Sequence, residues 1–255
     1  DTDGDWLFPN GTVLMKHFRL NGELFETRLF MRHTNGEWGG YTYEWNQAGT
    51  DAARVIGGKT KMVQGQSWLY PSEAQCMKCH TQVANFSLGI EHAHLNRDFL
   101  YPSTGISANQ LTTADTIGML TLPLGDVPEN LPRMYDLTDP GAPVPAQDLE
   151  DASRSYLHSN CAGCHRPLGP TPSSMDLQYA TAFSATDTCN VVPTLGDLGV
   201  PNALLISPGI AAESIIPNRM NRRDVHGMPP LASAFPDANG VTLISDWVNS
   251  LVGCP

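Results

Sequence analysis

The sequence predicts a mainly α-helical protein with long loops and a small antiparallel β segment at its N-terminus, so that the fold is α+β overall. Residues before about 70 contain runs of alternating polar and apolar side chains, which is typical of strands. Segments 148–157 and 239–251 instead have apolar residues at helical spacing. The 20 prolines and 23 glycines indicate that long loops connect short elements.

The β segment, residues 1–67, is predicted to contain a hairpin. Residues 26–33 and 38–45 both have strand patterns, and the sequence TNGE at 34–37 provides turn residues between them. A further strand is expected over 12–18. Because so short a segment has little core of its own, we expect its aromatic side chains to pack against the rest of the chain.

Two pentapeptides of the form C-x-x-C-H, at 76–80 and 161–165, are the most informative motifs in the chain. Two cysteines three positions apart on a helical turn can form thioethers with the two vinyl groups of a haem, and the adjacent histidine can bind its iron. We therefore predict two covalently attached haem c groups. The attachment residues are Cys76, Cys79, His80, Cys161, Cys164 and His165.

Two other uses of these cysteines are alternatives to haem attachment. A redox-active C-x-x-C dithiol is one, and a zinc site shared by the four cysteines and two histidines is the other. Neither requires a histidine directly after each cysteine pair, so the motif favours haem.

The two motifs predict two haem-binding units in tandem. Ser72 is expected to cap the helix that carries the first motif. Six prolines between 123 and 147 cannot continue a helix or a central strand, so we place the boundary there. The first unit with its proline-rich linker then covers 68–147, and the second unit covers 148–255.

The second unit has a helix before its motif and another at the C-terminus, which resembles the small helical fold of class I cytochromes c. Those proteins usually present a methionine to the iron from a loop before the last helix. Met228, followed by two prolines, is therefore predicted as the sixth ligand opposite His165. Met220 as the ligand, or Met228 as a packing residue, are the alternatives.

The sixth ligand of the first iron has several candidates. Met119 is preferred, because it lies in an apolar segment 39 residues after His80. His94 is the runner-up, in a more polar segment. An open iron site is a further alternative, and the other candidate residues are Met134, His92 and His33.

Cys189 and Cys254 remain after the four motif cysteines, and we predict that they form a disulfide. Closing a loop of that length stabilises a fold by ~4 kcal/mol in the chain-entropy model. A cysteine thiolate as an axial iron ligand is the alternative. Disulfides and covalent haem attachment both belong outside the cytoplasm, so we expect a periplasmic or extracellular protein that was exported by a signal absent from this sequence.

The formal net charge of −11 bears on the choice of partner. It argues against nucleic acid and anionic membrane surfaces, and it favours a basic or weakly charged redox protein. No apolar run approaches the roughly 20 residues that cross a bilayer, and the oligomeric state is left open. Arginines are expected to pair with buried haem propionates. The candidates are Arg97, Arg133, Arg219, Arg222 and Arg223.

Several short sequence blocks occur in a fixed order along the chain. They are FPNGTV at 8–13, ETRL at 26–29, GYTYEWN at 40–46, LNRD at 95–98, ANQL at 108–111, RM at 219–220 and MPPL at 228–231. Together they resemble a family of bacterial exported dihaem c-type cytochromes, in which a β-rich segment precedes two haem units. The resemblance covers nearly the whole chain and implies electron transfer, sometimes beside quinoprotein sugar dehydrogenases.

The leading hypothesis is an electron-transfer protein that accepts electrons from an exported dehydrogenase or another donor and relays them through two haems to a downstream acceptor. A haem enzyme is the second hypothesis, either a dihaem peroxidase or a thiosulfate-oxidising cytochrome, although no compact acid/base group is visible in the sequence. A module of a larger extracellular cytochrome assembly is the third.

Overall fold

The N-terminal part of the chain forms an antiparallel sheet of four strands. A computed structural model describes residues 4–137, 139 and 141–255. The predicted hairpin is confirmed, and the residues between its two strands are 33–37. The strands pair in chain order as β1 Val13–Leu20, β2 Glu23–Arg32, β3 Trp38–Trp45 and β4 Ala52–Val55.

One face of this sheet packs against the first C-x-x-C-H motif. The register places Phe30 of β2 between Leu14 of β1 and Gly40 of β3, so these three residues share that face. On the same face, the buried hydroxyl of Thr42 donates a hydrogen bond of 2.9 Å to the carbonyl of Pro71. The sheet therefore packs against the segment that leads into the motif.

A second hairpin, β5 Lys59–Val63 and β6 Gln66–Tyr70, packs beside the sheet. The Trp68 ring lies 4.9 Å from the Phe25 ring, and its indole N–H donates to Glu26 at 2.8 Å. Tyr70 is fully buried. The aromatic residues of the N-terminal segment thus form part of a shared core, as their number in so short a segment predicts.

The rest of the described chain consists of short helices, a small hairpin and long loops. The hairpin pairs β7 Asp98–Tyr101 with β8 Ile106–Asn109. Short 3-10 helices lie at Gln82–Ala84, Pro128–Asn130, Ala146–Asp148, Phe183–Ala185 and Ala211–Glu213. The α-helices are α1 Glu73–Cys76, α2 His92–Leu95, α3 Gln110–Thr116, α4 Leu149–Cys161, α5 Ile215–Met220 and α6 Ala238–Ser250.

The prediction of a mainly helical fold with class I cytochrome c-like domains is wrong. The structure is 25% helix and 22% strand, and its helices are small. Only α4 and α6 in the described part of the chain reach 13 residues. The other α-helices have four to seven residues: α3, for example, stops at Thr116, and Gly118 follows with a φ of 72°.

The main hydrophobic cluster lies where α4 and α6 cross. Ile244, Trp247 and Val248 of α6 are buried against Leu157 of α4. The helices approach closely at Gly240, where an added Cβ would lie 2.2 Å from the ring of Tyr156. Glycine at this position therefore lets the two longest helices of the chain pack directly on each other.

The predicted disulfide is present between Cys189 and Cys254, with a Cα–Cα distance of 5.8 Å. It ties the segment after α6 to the loop that precedes α5. No helix in the described ranges combines the length and the apolar character needed to cross a membrane.

Candidate functional site

The first C-x-x-C-H motif starts at the end of α1, whose N-terminus is capped by Ser72. The Ser72 hydroxyl accepts a hydrogen bond from the backbone N–H of Gln75, and the Gln75 side chain accepts one from the Ser72 N–H. The backbone N–H groups of Cys79 and His80 both donate to the carbonyl of Cys76, at 3.3 and 3.1 Å. The motif is therefore one compact turn.

Gly40 of β3 allows this turn to pack closely against the sheet. A Cβ at Gly40 would lie 2.6 Å from both Cβ and Sγ of Cys76, which is closer than real Cβ contacts. The absence of a side chain thus creates the space that the Cys76 thiol occupies.

His80 has the protonation state that iron binding requires. Its Nδ1 lies 2.5 Å from the carbonyl oxygen of Phe86. Because a carbonyl can only accept, Nδ1 carries the proton and Nε2 keeps its lone pair. Burial lowers the pKa of His80, and its ring centroid lies 4.0 Å from that of Phe30. The histidine is thus held in the neutral tautomer whose Nε2 can bind a metal.

The second motif begins in the last turn of α4. The N–H groups of Cys164 and His165 donate to the carbonyl of Cys161, at 3.0 and 2.9 Å, so this motif repeats the turn of the first. Nδ1 of His165 is buried without a hydrogen-bond partner, and burial lowers the pKa of this side chain. A half-buried, neutral imidazole whose Nδ1 has no partner is a candidate metal ligand.

A cavity of about 360 Å³ lies next to the second motif, with a smaller one of about 70 Å³ beside it. Both cavities are lined by Cys161, His165, Met220 and Met228. The structure thus brings both methionine candidates to the same space as His165. The larger cavity is also lined by Cys79, which belongs to the first motif.

The two motifs meet at their second cysteines. A hydrogen bond with the Cys164 thiol lowers the pKa of Cys79 to about 7 and raises the pKa of Cys164. A Cβ at Gly163 would lie 2.7 Å from Leu88, and Arg166 donates a hydrogen bond of 3.0 Å to the carbonyl of Val83. The tandem motifs are therefore neighbours in space as well as repeats in sequence.

A buried carboxylate that the sequence analysis did not identify connects the two halves. Oε1 of Glu91 lies 3.1 Å from Nδ1 of His94 and 3.0 Å from Nε2 of His158. Burial acts to raise the pKa of Glu91, but the contacts with His158 and His94 outweigh it and lower the pKa to about 2. The sequence does not predict this contact, because His158 lies on α4, far from Glu91 along the chain.

The Glu91 group resembles a metal site in composition, but the hydrogen bond made by His158 argues against a metal there. The three donor atoms lie within 4.8 Å of one another. However, the backbone N–H of Tyr179 donates to Nδ1 of His158 at 2.8 Å. Nε2 of His158 therefore carries the proton, so this nitrogen, 3.0 Å from Oε1 of Glu91, is not a metal ligand.

The residues predicted as candidates for a sixth iron ligand at the first motif lie in different surroundings. Met119 follows α3 and is 63% exposed, whereas Met134 is buried. His94 contacts the Ser159 hydroxyl through Nε2 at 2.6 Å, and His33 contacts the Tyr41 hydroxyl at 2.8 Å. The assignment of Met119, with His94 as runner-up, stays a prediction.

Among the arginines predicted to pair with propionates, Arg223 lines the larger cavity. It donates hydrogen bonds to the carbonyls of Met220 and Met228, at 2.9 and 3.1 Å, and so holds both methionine segments. Arg97 bonds to Asp136, and Arg222 lies 3.8 Å from Asp224. Arg219 donates to the carbonyl groups of His226 and Leu195.

Comparison with protein-family models, curated proteins and solved structures gave no match to this chain.

Proposed function

We propose that this protein is an exported dihaem c-type cytochrome that transfers electrons between a donor, such as an exported quinoprotein dehydrogenase, and a downstream acceptor. The observation that carries the proposal is the meeting of two C-x-x-C-H turns at Cys79 and Cys164. Each turn offers two thiols and a neutral imidazole, and the cavity beside the second turn contains two thioether side chains.

The residues of both turns fit covalently attached haem. The four motif cysteines are free thiols, while Cys189 and Cys254 are paired with each other. His80 offers Nε2 to iron because its Nδ1 proton is bound by a carbonyl, and His165 is a half-buried imidazole whose pKa is lowered by burial. Haem, when bound, supplies a one-electron redox centre at each motif.

The arrangement of the chain suits electron relay. Because Cys79 and Cys164 are in contact, groups attached to these two cysteines are held close to each other by the fold. The contacts of Arg166 with Val83 and of Glu91 with His158 fix the position of one motif relative to the other. A fixed short separation favours transfer of an electron from one centre to the other without movement of the protein.

The disulfide supports an electron-transfer role over a thiosulfate-oxidising enzyme with a cysteine ligand. It engages both cysteines that lie outside the motifs, so neither is free to serve as a thiolate ligand. A disulfide also suits an oxidising compartment, which agrees with export.

The direct test is to express the chain with an export signal in a bacterium that attaches haem c, and to measure the mass and the haem content. We expect two haems per chain for the wild type. We expect one haem for Cys76→Ala/Cys79→Ala and one for Cys161→Ala/Cys164→Ala. The control Cys189→Ala/Cys254→Ala should retain two. A wild-type chain without haem, or with zinc in its place, would contradict the proposal.

The choice between relay and enzyme needs a second measurement on the same protein. We expect both haems to be reduced by a quinoprotein dehydrogenase and reoxidised by a redox protein, with negligible turnover of peroxide or thiosulfate. Robust steady-state consumption of either compound would assign an enzymatic function instead.

A further inference from the structure

Two cationic side chains share the sheet face that carries the first motif. Lys16 of β1 lies directly opposite Arg28 of β2, and like charges in that position repel each other. Both lie over the Phe18 ring, with Nζ of Lys16 at 5.3 Å and Cζ of Arg28 at 4.3 Å from its centroid. Desolvation and the charge of Arg28 lower the pKa of Lys16. The two like charges therefore lie close together on one face of the sheet.

The nearest carboxylate is already engaged. Glu26 is fully buried, and its two oxygens accept hydrogen bonds from Nε and Nη2 of Arg28 at 2.6 and 3.0 Å. The indole of Trp68 donates to the same carboxylate at 2.8 Å. Lys16 forms no ion pair with any residue that the structure describes. Lys16, which is exposed, is therefore the one of the two cations without a carboxylate contact among the described residues.

These cations lie beside the first motif. Arg28 and Phe30 are two positions apart on one strand and so share a face, and the Phe30 ring centroid is 4.0 Å from that of His80. After burial, the charges of Arg28 and Lys16 are the other influences that lower the pKa of His80. The positive group is therefore within electrostatic reach of the imidazole.

The strand order of the sheet also gives the separation between Cys76 and Lys16. Cys76 packs against Gly40 on β3, and Lys16 lies on β1. The two strands are separated by β2, which corresponds to two strand spacings, roughly 10 Å. A haem c is attached through its vinyl edge, and its two propionates are at the opposite edge.

We propose that Lys16 and Arg28 bind a propionate of the haem attached to the first motif. This inference rests on the proposed function, because it requires a haem at Cys76 and Cys79. The propionate provides a negative charge beside Lys16 and Arg28, and two donors on a rigid sheet hold it by charge-assisted hydrogen bonds. The β segment then has a role in cofactor binding, since β1 and β2 supply both cations.

The test uses the full chain loaded with haem and compares Lys16→Gln with Lys16→Arg. Lys61→Gln is the matched control, because it removes the same charge from β5, where Lys61 is paired with Glu44 at 2.7 Å. The redox potentials of both haems are measured by spectroelectrochemical titration. The propionate bending band is measured by resonance Raman spectroscopy.

Loss of a positive charge near the iron disfavours the reduced state. We expect Lys16→Gln to change the reduction equilibrium of one haem about tenfold, or about 59 mV to lower potential, and to leave the other haem unchanged. The propionate bending band of the affected haem should shift to the frequency typical of a weaker hydrogen bond. Lys16→Arg should retain the wild-type values, and Lys61→Gln should change neither quantity.

Two results would overturn the inference. The first is a Lys16→Gln protein with two haems and unchanged potentials and propionate band. The second is an equal shift of both haems in Lys16→Gln and Lys61→Gln, which would be an effect of net charge alone. A wild-type chain without a haem at the first motif would instead contradict the proposed function, so the two failures are distinguishable.

Discussion

Glycine at position 40 allows the first motif to pack closely on the sheet. In Gly40→Ala, the new Cβ would lie 2.6 Å from Sγ of Cys76, and either the thiol or the strand must move. We expect a loss of about 1–3 kcal/mol in the free energy of unfolding, which is typical of overpacking, and incomplete haem attachment at the first motif. Denaturant unfolding and protein mass measure both.

The control for this prediction is Gly253→Ala, because a Cβ at Gly253 meets no atom within 4 Å. That variant should match the wild type in stability and haem content. Full haem attachment and unchanged stability in Gly40→Ala would show that the contact between β3 and Cys76 does not constrain the motif.

Met220 and Met228 both line the cavity beside His165, so substitution distinguishes the two predicted ligands. We expect Met228→Ala to abolish the absorption band of methionine-ligated ferric haem and to lower the potential of one haem, because the thioether favours reduced iron. Met220→Ala is the matched variant and should keep the band. The reverse result would assign Met220, and loss of the band in neither variant would exclude both.

The buried Glu91 carboxylate should make stability depend on pH in the acid range. Its contacts with His158 and His94 lower the pKa to about 2 from an ordinary value of 4.5. A lowered pKa stabilises the folded state above about pH 4.5, and this stabilisation is lost as the pH falls towards about 2. The shift corresponds to a stabilisation on the order of 3 kcal/mol at neutral pH.

Glu91→Gln tests this contribution when the free energy of unfolding is measured from pH 7 to pH 2. We expect the variant to be less stable than the wild type at neutral pH and the two curves to converge near pH 2. Glu129→Gln, at an exposed position, is the control and should follow the wild-type curve. A constant difference between wild type and Glu91→Gln across this range would contradict the assignment.

At the scale of elements, the disulfide holds the chain end that follows α6. Cys189 and Cys254 are 65 residues apart, so their link closes a long loop. We expect Cys189→Ser/Cys254→Ser to lose about 4 kcal/mol in the free energy of unfolding in the chain-entropy model. The wild type under reducing conditions should lose a similar amount. A loss below about 1 kcal/mol would show that the packing of α6 on α4 already fixes this segment.

The sequence predicted the two long helices correctly but missed a short hairpin. The apolar spacing of 148–157 and 239–251 correctly indicated α4 and α6, because each helix has one apolar face on a shared core. The hairpin of β7 and β8 was not predicted. Its short strands have exposed apolar residues, including Phe99 and Leu100, and therefore lack the alternation that marks a strand.

At the scale of the molecule, the net charge of −11 should control association with partners. With a basic cytochrome c as a surrogate electron acceptor, we expect the second-order rate of electron transfer to fall as ionic strength rises from 0.01 M to 0.15 M, because the Debye length shrinks from about 30 Å to about 8 Å. Stopped-flow absorption measures this rate. With the anion ferricyanide the rate should rise over the same range, and salt-independent rates with both oxidants would contradict the expectation.

The sequence alone determined the local chemistry of this protein. The two C-x-x-C-H turns, the pairing of the remaining cysteines and the β2–β3 hairpin follow from short-range patterns, because spacing, residue type and turn residues specify them directly. It did not determine the overall helix content, because apolar spacing indicates α4 and α6 but does not specify how much of the remaining chain is helical. Lys16 and Arg28 were absent from the predicted propionate partners for a related reason: their position beside His80 depends on the strand register.

Only the tertiary structure decided which distant residues meet. It placed Cys79 beside Cys164, Glu91 between two histidines and both Met220 and Met228 at one cavity. These contacts join residues that are far apart in the chain, and they depend on how the sheet, α4 and the loops pack. Packing is a property of the whole molecule, and no local pattern in the sequence records it.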